Sequence, residues 1–190
     1  MEVKLEFITP DAEIFIGRMA GICYDAEDSP ERNLKRAIKC STDGHLATLR
    51  FAHAVFNISG ISRICSHQMV RSKHLDFLQR SQRYCKESQT EFVVPNSLTD
   101  KGQEIVQNHN TACLNLYNFL LNGGVKKEDA RFVLPESSTT ELNVVGNFQA
   151  WKDFIKLRAD KHAQWEIREV AKQINNILSK ECPNLFYWMP

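Results

Sequence analysis

The sequence predicts an α+β fold, organised as a single helix-rich domain with a mixed or antiparallel sheet. Its 190 residues are enough for one domain with a hydrophobic core and few for two. Short segments that alternate apolar and polar residues mark strands, and longer segments with helical periodicity fill most of the remaining chain. Because no linker, internal repeat or low-complexity stretch interrupts the chain, one domain over residues 1–190 is expected.

The first part of the chain is predicted to form a strand and two helices. The segment "VKLEFITP" alternates in polarity and stops at Pro10, as expected of a strand followed by a turn. Asp11 stands where it can cap a first helix. Ser29 is the expected cap of a second helix, with Pro30 at its first position.

The middle of the chain predicts a strand and a short helix. "RFAHAVFNISG" is a strand candidate with Ala52, Ala54, Phe56 and Ile58 on one face. "ISRICSHQMVR" follows as a short helix with one apolar side. The stretch "RYCKESQTEFVVP" is expected to be extended up to its proline.

The last half of the chain is predicted to be mainly helical. An amphipathic helix beginning near Thr99 is stopped by two glycines at 123–124, and a short helix ends before Pro135. One or two further helices are expected between Asn147 and Cys182. In this region, three side chains four residues apart are expected to line one helical face, either as a site or as an exposed ladder of ion pairs: Arg158, His162 and Glu166.

Composition excludes several classes of function. The net charge of +1 argues against general binding of nucleic-acid polymers or membrane surfaces. Six cysteines are scattered without metal-ligand spacing or a C-x-x-C pair, which is typical of reduced thiols. No apolar stretch reaches the length of a membrane span. We therefore expect a cytoplasmic protein without a targeting segment, a metal site or a membrane partner.

One segment, "VRSKHLDFLQRSQRYC" at residues 70–85, collects cationic and hydrogen-bonding side chains. Arginine offers a planar fork for phosphate oxygens, and nearby serine hydroxyls complete an oxyanion cradle. Ser81 and Arg83 are two residues apart, so in an extended stretch both point to the same side. Apolar residues alternate with the cations, which favours a formed site for a small anionic ligand over the alternative of a solvated basic loop. His74 on its own is taken as structural.

Four separated blocks resemble the flavin-dependent thymidylate synthase family. The basic segment "RSKHLDFLQRSQRY" is similar to that family's signature of R-H-R, seven residues, S, and then R-Y. The C-terminal block "LRADKHAQWEIR", the element "ARFVLP", and "GHLAT" followed by "FNISGISR" resemble three further family elements in the same order. The resemblance covers most of the chain.

The resemblance implies a homotetramer of α+β subunits with active sites at subunit junctions. Each site would bind FAD and dUMP. Reduced nicotinamide, NAD(P)H, would reduce the flavin, and methylenetetrahydrofolate would supply the carbon that is transferred to carbon 5 of dUMP. The flavin would carry the difficult chemistry while the protein orients and polarises the reactants.

The resemblance also assigns site residues. Arg158 would be catalytic, because it would face the uracil and stabilise negative charge that develops on the ring. The nucleotide would be held by Arg158 together with Gln68, Ser81, Arg83 and Arg131. The positions that match the FAD surroundings are His45, Thr48, Arg71, Ser72, Lys73, Gln79, Asn147 and His162.

The signature departs from the family pattern at two positions. Ser72 stands in place of the central histidine, and Lys73 in place of the second arginine. Lysine keeps the charge but loses the bidentate fork. Two alternatives to dUMP methylation therefore stay open. One is a related enzyme that modifies carbon 5 of another pyrimidine nucleotide or transfers hydroxymethyl, and the other is a nucleotide-binding homologue without flavin redox chemistry.

Overall fold

The computed structural model describes residues 1–187, and it has the α+β fold that the sequence predicts. Its strands form a sheet in the order β1-β2-β4-β3. They are β1 (Glu2–Ile8), β2 (His53–Ser62), β3 (Leu75–Gln79) and β4 (Thr139–Asn147). The helices are α1 (Ala12–Gly21), α2 (Pro30–Thr42), α3 (Arg63–Met69), α4 (Asp100–Asn122), α5 (Lys127–Ala130), α6 (Phe148–Arg158) and α7 (Trp165–Glu181).

Backbone hydrogen bonds show that the sheet is antiparallel. The N–H that follows β1 donates to the start of β2, from Thr9 to His53, at 3.0 Å. Strand β4 runs against β2, because Phe148 donates to Ala52 at one end and Arg63 donates to Ser138 at the other. The predicted sheet is therefore confirmed in its antiparallel form.

The chain divides into two compact units. The first contains residues 1–2, 58–68 and 78–142, and the second contains residues 3–57, 69–77 and the chain from 143 onward. The single domain expected over residues 1–190 stays a prediction.

In the second unit, α6 is fixed to the sheet by Trp151. The indole Nε1 donates to the carbonyl oxygen of Ala54 at 3.1 Å. The Trp151 ring also meets Phe56 edge-on, with 5.0 Å between ring centroids. Ala54 and Phe56 are buried, as the predicted alternation of β2 requires. These contacts hold α6 in place, so the residues along its length have defined positions.

Two local predictions are wrong. Asp11 precedes α1 but makes no side-chain capping bond, because its backbone is left-handed with φ 47°. The stretch expected to be extended is interrupted by a turn, in which the N–H groups of Tyr84 and Cys85 both donate to the carbonyl of Ser81. The cap at Ser29 is confirmed, since its hydroxyl accepts from the N–H of Arg32.

Candidate functional site

A cavity of about 360 Å³ lies between α6 and the turn that joins α3 to β3. We call it the turn cavity. Its polar lining comes from the turn residues Arg71, Ser72, Lys73 and His74 and from Asp153 and Arg158. Its apolar wall is formed by Ala150, Phe154 and Leu157. The structure thus brings together four side chains that the sequence assigned to the site: Arg71, Ser72, Lys73 and Arg158.

The backbone of the turn explains why these side chains converge. After α3 ends, the N–H of Ser72 donates to the carbonyl of Met69 at 2.8 Å. His74 then adopts a left-handed backbone with φ 64°, and the chain enters β3 at Leu75. Left-handed residues other than glycine are uncommon, and they often occur at functional sites. The turn therefore brings the cationic run into the lining of the cavity.

The donors of the turn cavity fit a flavin. The Ser72 hydroxyl oxygen is buried and has no hydrogen-bond partner among residues 1–187. A buried polar atom of this kind is costly unless a ligand or water satisfies it. Arg71 and Lys73 add positive charge at the rim, and the apolar wall suits the face of a flat ring.

A second cavity, of about 480 Å³, shares Arg158, Asp153 and Leu157 with the turn cavity and is also lined by His162. Arg158 therefore faces both. The Asp160 carboxylate accepts from the backbone N–H of His162 and contacts its Nδ1, each at 2.8 Å. These contacts, the backbone bond first, lower the pKa of the Asp160 carboxyl.

The predicted helical face of Arg158, His162 and Glu166 is wrong. Helix α6 ends at Arg158, and α7 begins only at Trp165. The Gln164 side chain caps α7 by accepting from the N–H of Glu166 at 3.0 Å. His162 consequently lies in the connecting loop, and Glu166 is buried in the first turn of α7.

The remaining residues expected around FAD lie elsewhere. His45 and Thr48 line a third cavity, of about 380 Å³. Asn147 caps α6, because its Oδ1 accepts from the N–H of Ala150 at 2.9 Å. Gln79 donates to the hydroxyls of Ser66 and Thr140 at 3.0 and 3.1 Å. The side chains of Asn147 and Gln79 are thus engaged within the protein.

The residues expected to hold the nucleotide gather mainly in the first unit. Arg83 Nε donates to the Glu128 carboxylate at 2.8 Å, and Arg131 Nε donates to the backbone carbonyl of Glu128 at 3.1 Å. Ser81 begins the same turn, and its hydroxyl accepts from the N–H of Arg83 at 3.3 Å. Gln68 is half-buried near the end of α3, in this unit, whereas Arg158 belongs to the second unit.

Sequence reasoning missed two residues of these sites. The sequence alone predicts a structural role for His74, yet this residue lines the turn cavity; the signal is its place directly after Arg71, Ser72 and Lys73. Glu128 joins Arg83 to Arg131, but 45 residues separate it from Arg83, and no local pattern shows the contact.

Residues 1–187 contain neither a metal-binding cluster nor a membrane-spanning helix. Within that range, no group of three or more His, Cys, Asp or Glu side chains is arranged to hold a metal ion. Likewise, none of the helices in the described part of the chain is both long and apolar enough to cross a membrane.

Comparison with known proteins identifies the family. The family model described as "Thymidylate synthase complementing protein" matches residues 4–184. A flavin-dependent thymidylate synthase of Geobacter sulfurreducens is 34% identical, and the alignment covers 98% of this chain and 85% of that protein. A protein of the same name from Pyrococcus furiosus is 36% identical over 82% of this chain and 65% of its own length.

A third relative, the flavin-dependent thymidylate synthase of Mycobacteroides abscessus, is 31% identical over 90% of this chain and 76% of its own length. The α+β fold and the cationic cavity are features of a protein that can bind a small anionic ligand. The chain belongs to the flavin-dependent thymidylate synthase family. The family resemblance predicted from four sequence blocks, including the divergent Arg71-Ser72-Lys73 signature, is thereby confirmed, and the family is one of enzymes.

Proposed function

We propose that this chain is a flavin-dependent thymidylate synthase, which methylates dUMP at carbon 5 to give dTMP. FAD is the bound cofactor, methylenetetrahydrofolate is the one-carbon donor, and NAD(P)H is the reductant. The observation that carries the proposal is the turn cavity, in which Arg71, Ser72 and Lys73 of the family signature meet Arg158. The names of the relatives support the flavin and the reaction.

Residues of the turn cavity hold FAD in this proposal. When bound, FAD supplies hydride and one-carbon transfer. The Ser72 hydroxyl gains the hydrogen-bond partner that the described residues do not give it. Arg71 and Lys73 offset negative charge, and Phe154 and Leu157 exclude water from one ring face. The other proposed FAD residues are His45, Thr48, Gln79, Asn147 and His162.

Five residues are assigned to nucleotide binding. Arg83 and Arg131 hold the phosphate, since guanidinium groups bind phosphate oxygens in a bidentate manner. Ser81 and Gln68 contribute hydrogen bonds to the nucleotide. Arg158 is the catalytic residue: it faces the uracil and stabilises negative charge that develops on the ring as carbon 5 attacks.

Assembly into a homotetramer is part of the proposal. The predicted FAD residues line separate cavities, and copies of the chain can combine such cavities into complete sites. Helix α4 supports this. Ile105 and Phe119 on α4 are 59% and 72% exposed, although apolar side chains of that size favour burial. A second copy of the chain is the proposed cover, and Phe119→Asp is expected to lower the mass measured by analytical ultracentrifugation.

We also propose a cytoplasmic location and action as one domain over residues 1–190. The support for the cytoplasm is the state of the cysteines, all of which are free in the described structure. Reduced thiols are typical of that compartment.

The nucleotide-binding homologue without redox chemistry is a second candidate. It is favoured by Gln79 and Asn147, two expected FAD contacts whose side chains are engaged within the protein. The substitution of lysine for arginine at position 73 of the signature also favours it.

Product analysis tests the proposed reaction. The purified chain is incubated with FAD, dUMP, methylenetetrahydrofolate and NADPH, and the nucleotides are identified by chromatography and mass spectrometry. Formation of dTMP is expected. A hydroxymethylated nucleotide would instead identify the related enzyme with a different one-carbon product. Binding of dUMP and FAD without any product would contradict the proposal and support the second candidate.

A further inference from the structure

Two contacts join the short helix α5 to the turn at residues 81–85, and a third links Glu128 to Arg131. Lys127 Nζ donates to the backbone carbonyl of Tyr84 at 2.7 Å. The Glu128 carboxylate accepts from Arg83 Nε at 2.8 Å, and the Glu128 carbonyl accepts from Arg131 Nε at 3.1 Å. A single residue, Glu128, therefore holds guanidinium groups from two separate segments of the chain.

Both arginines use Nε for this contact, which leaves their terminal amino groups for another acceptor. Among the described residues, the only other contact of the Arg83 guanidinium is with the face of the Tyr84 ring, whose centroid lies 5.4 Å from the guanidinium carbon. The Arg83 side chain is 58% exposed, so a ligand can reach it. Both guanidinium groups are bonded to the same residue, Glu128, and terminal amino groups without a partner among the described residues offer the fork geometry that matches phosphate oxygens.

The ion pair contributes little to folding. The Glu128 side chain is 36% exposed, and pairs between exposed charges contribute little to stability. The ion pair has a larger effect on the orientation of the Arg83 side chain. A long arginine side chain that is already fixed loses less conformational freedom when it binds a ligand.

We propose that Glu128 is a positioning residue for the nucleotide phosphate. Its carboxylate orients Arg83, its carbonyl orients Arg131, and the two guanidiniums present their terminal N–H groups to the same phosphate. This inference rests on the proposed function, because it assumes that the bound ligand is a nucleoside monophosphate. Loss of the carboxylate is expected to weaken dUMP binding roughly five- to tenfold, through the cost of ordering Arg83.

A double-mutant cycle on the full chain tests the inference. The Kd for dUMP is measured by equilibrium dialysis for wild type, Glu128→Ala, Arg83→Ala and the double variant. Because Glu128 acts through Arg83, the double variant is expected to bind dUMP no more weakly than Arg83→Ala alone. Deoxyuridine, which lacks the phosphate, is expected to bind wild type and Glu128→Ala equally.

Two further variants serve as controls. Glu31→Ala removes an exposed carboxylate that pairs with Lys35 at 2.7 Å, and it is expected to leave the Kd for dUMP unchanged. Glu128→Gln keeps an oxygen acceptor without the charge, and it is expected to give an intermediate Kd. It also provides the measurement if Glu128→Ala does not fold.

Several results would overturn the inference. These are an unchanged or lower Kd for dUMP in Glu128→Ala, an equal loss of deoxyuridine binding, and effects that simply add in the double variant. If wild type binds dUMP and one of these results is found, the role of Glu128 alone is refuted. If wild type does not bind dUMP, the proposed function fails together with the inference.

Discussion

Helix α1 packs closely on α2 at Gly17, and this position gives a sharp test of the packing in the second unit. A Cβ atom at residue 17 would lie 1.8 Å from the backbone oxygen of Asn33 and 2.5 Å from its carbonyl carbon. Arg36 Nη1 adds to the constraint by donating to the Gly17 carbonyl at 2.8 Å and to Asn33 Oδ1 at 2.7 Å. Because Asn33 is buried, Gly17→Ala forces the two helices apart.

The expected change in the free energy of unfolding of Gly17→Ala is the sum of opposing effects. Alanine gains about 1 kcal/mol over glycine in helix propensity. Overpacking costs roughly 1–3 kcal/mol where side chains can adjust, and more here because the atoms in conflict are backbone. Each Arg36 hydrogen bond that breaks costs about another 1 kcal/mol. A net loss of roughly 2–4 kcal/mol is expected, which lowers the Tm by about 5–15 °C in a protein of this size.

Urea unfolding followed by circular dichroism measures this change, with Gly102→Ala as the matched control. A Cβ at residue 102, in the first turn of α4, would meet the Thr99 hydroxyl at 3.3 Å and the Leu98 Cβ at 3.4 Å. That variant is expected to stay within about 1 kcal/mol of wild type. Equal free energies of unfolding for Gly17→Ala and Gly102→Ala would refute the close packing of α1 on α2.

Three other predictions concern single side chains. Arg158→Ala should reduce turnover at least roughly 100-fold while FAD is retained, because it removes charge stabilisation rather than packing; steady-state turnover near the wild-type rate would contradict this. His74→Asn keeps a residue that tolerates the left-handed backbone, and it should raise the Kd for FAD about fivefold in fluorescence titration. An unchanged Kd would limit His74 to a backbone role. Burial raises the pKa of the Cys182 thiol to about 12. Alkylation at pH 8, followed by peptide mass spectrometry, should therefore modify the exposed Cys23 and spare Cys182, and equal labelling would contradict the burial.

The elements that the sequence predicts correctly are those with strong local signals. Helix α2 has a serine cap at residue 29 followed by Pro30, and both act within one turn of the helix. Strand β2 alternates in polarity, and the residues on its predicted inner face, including Ala54 and Phe56, are buried. The basic run after α3 stays a predicted site, and the structure places its Arg71, Ser72 and Lys73 around one cavity.

The predictions from sequence fail where the position of a residue depends on side-chain contacts that periodicity does not show. The four-residue spacing of Arg158 and His162 is compatible with a continuous helix, yet the Asp160 carboxylate holds His162 in a loop. The partnership of Arg83 and Glu128 exists only because the fold joins segments 45 residues apart. In both cases a side-chain hydrogen bond, rather than periodicity, determines the geometry.

Flavin binding is the central claim of the proposed function, and the visible absorption spectrum tests it most directly. The purified chain is incubated with excess FAD and desalted, and the spectrum is then recorded. The cationic turn cavity, with its unpartnered Ser72 hydroxyl, predicts that the band of oxidised flavin stays with the protein. A colourless protein after this treatment would contradict the proposal that the cavity holds FAD.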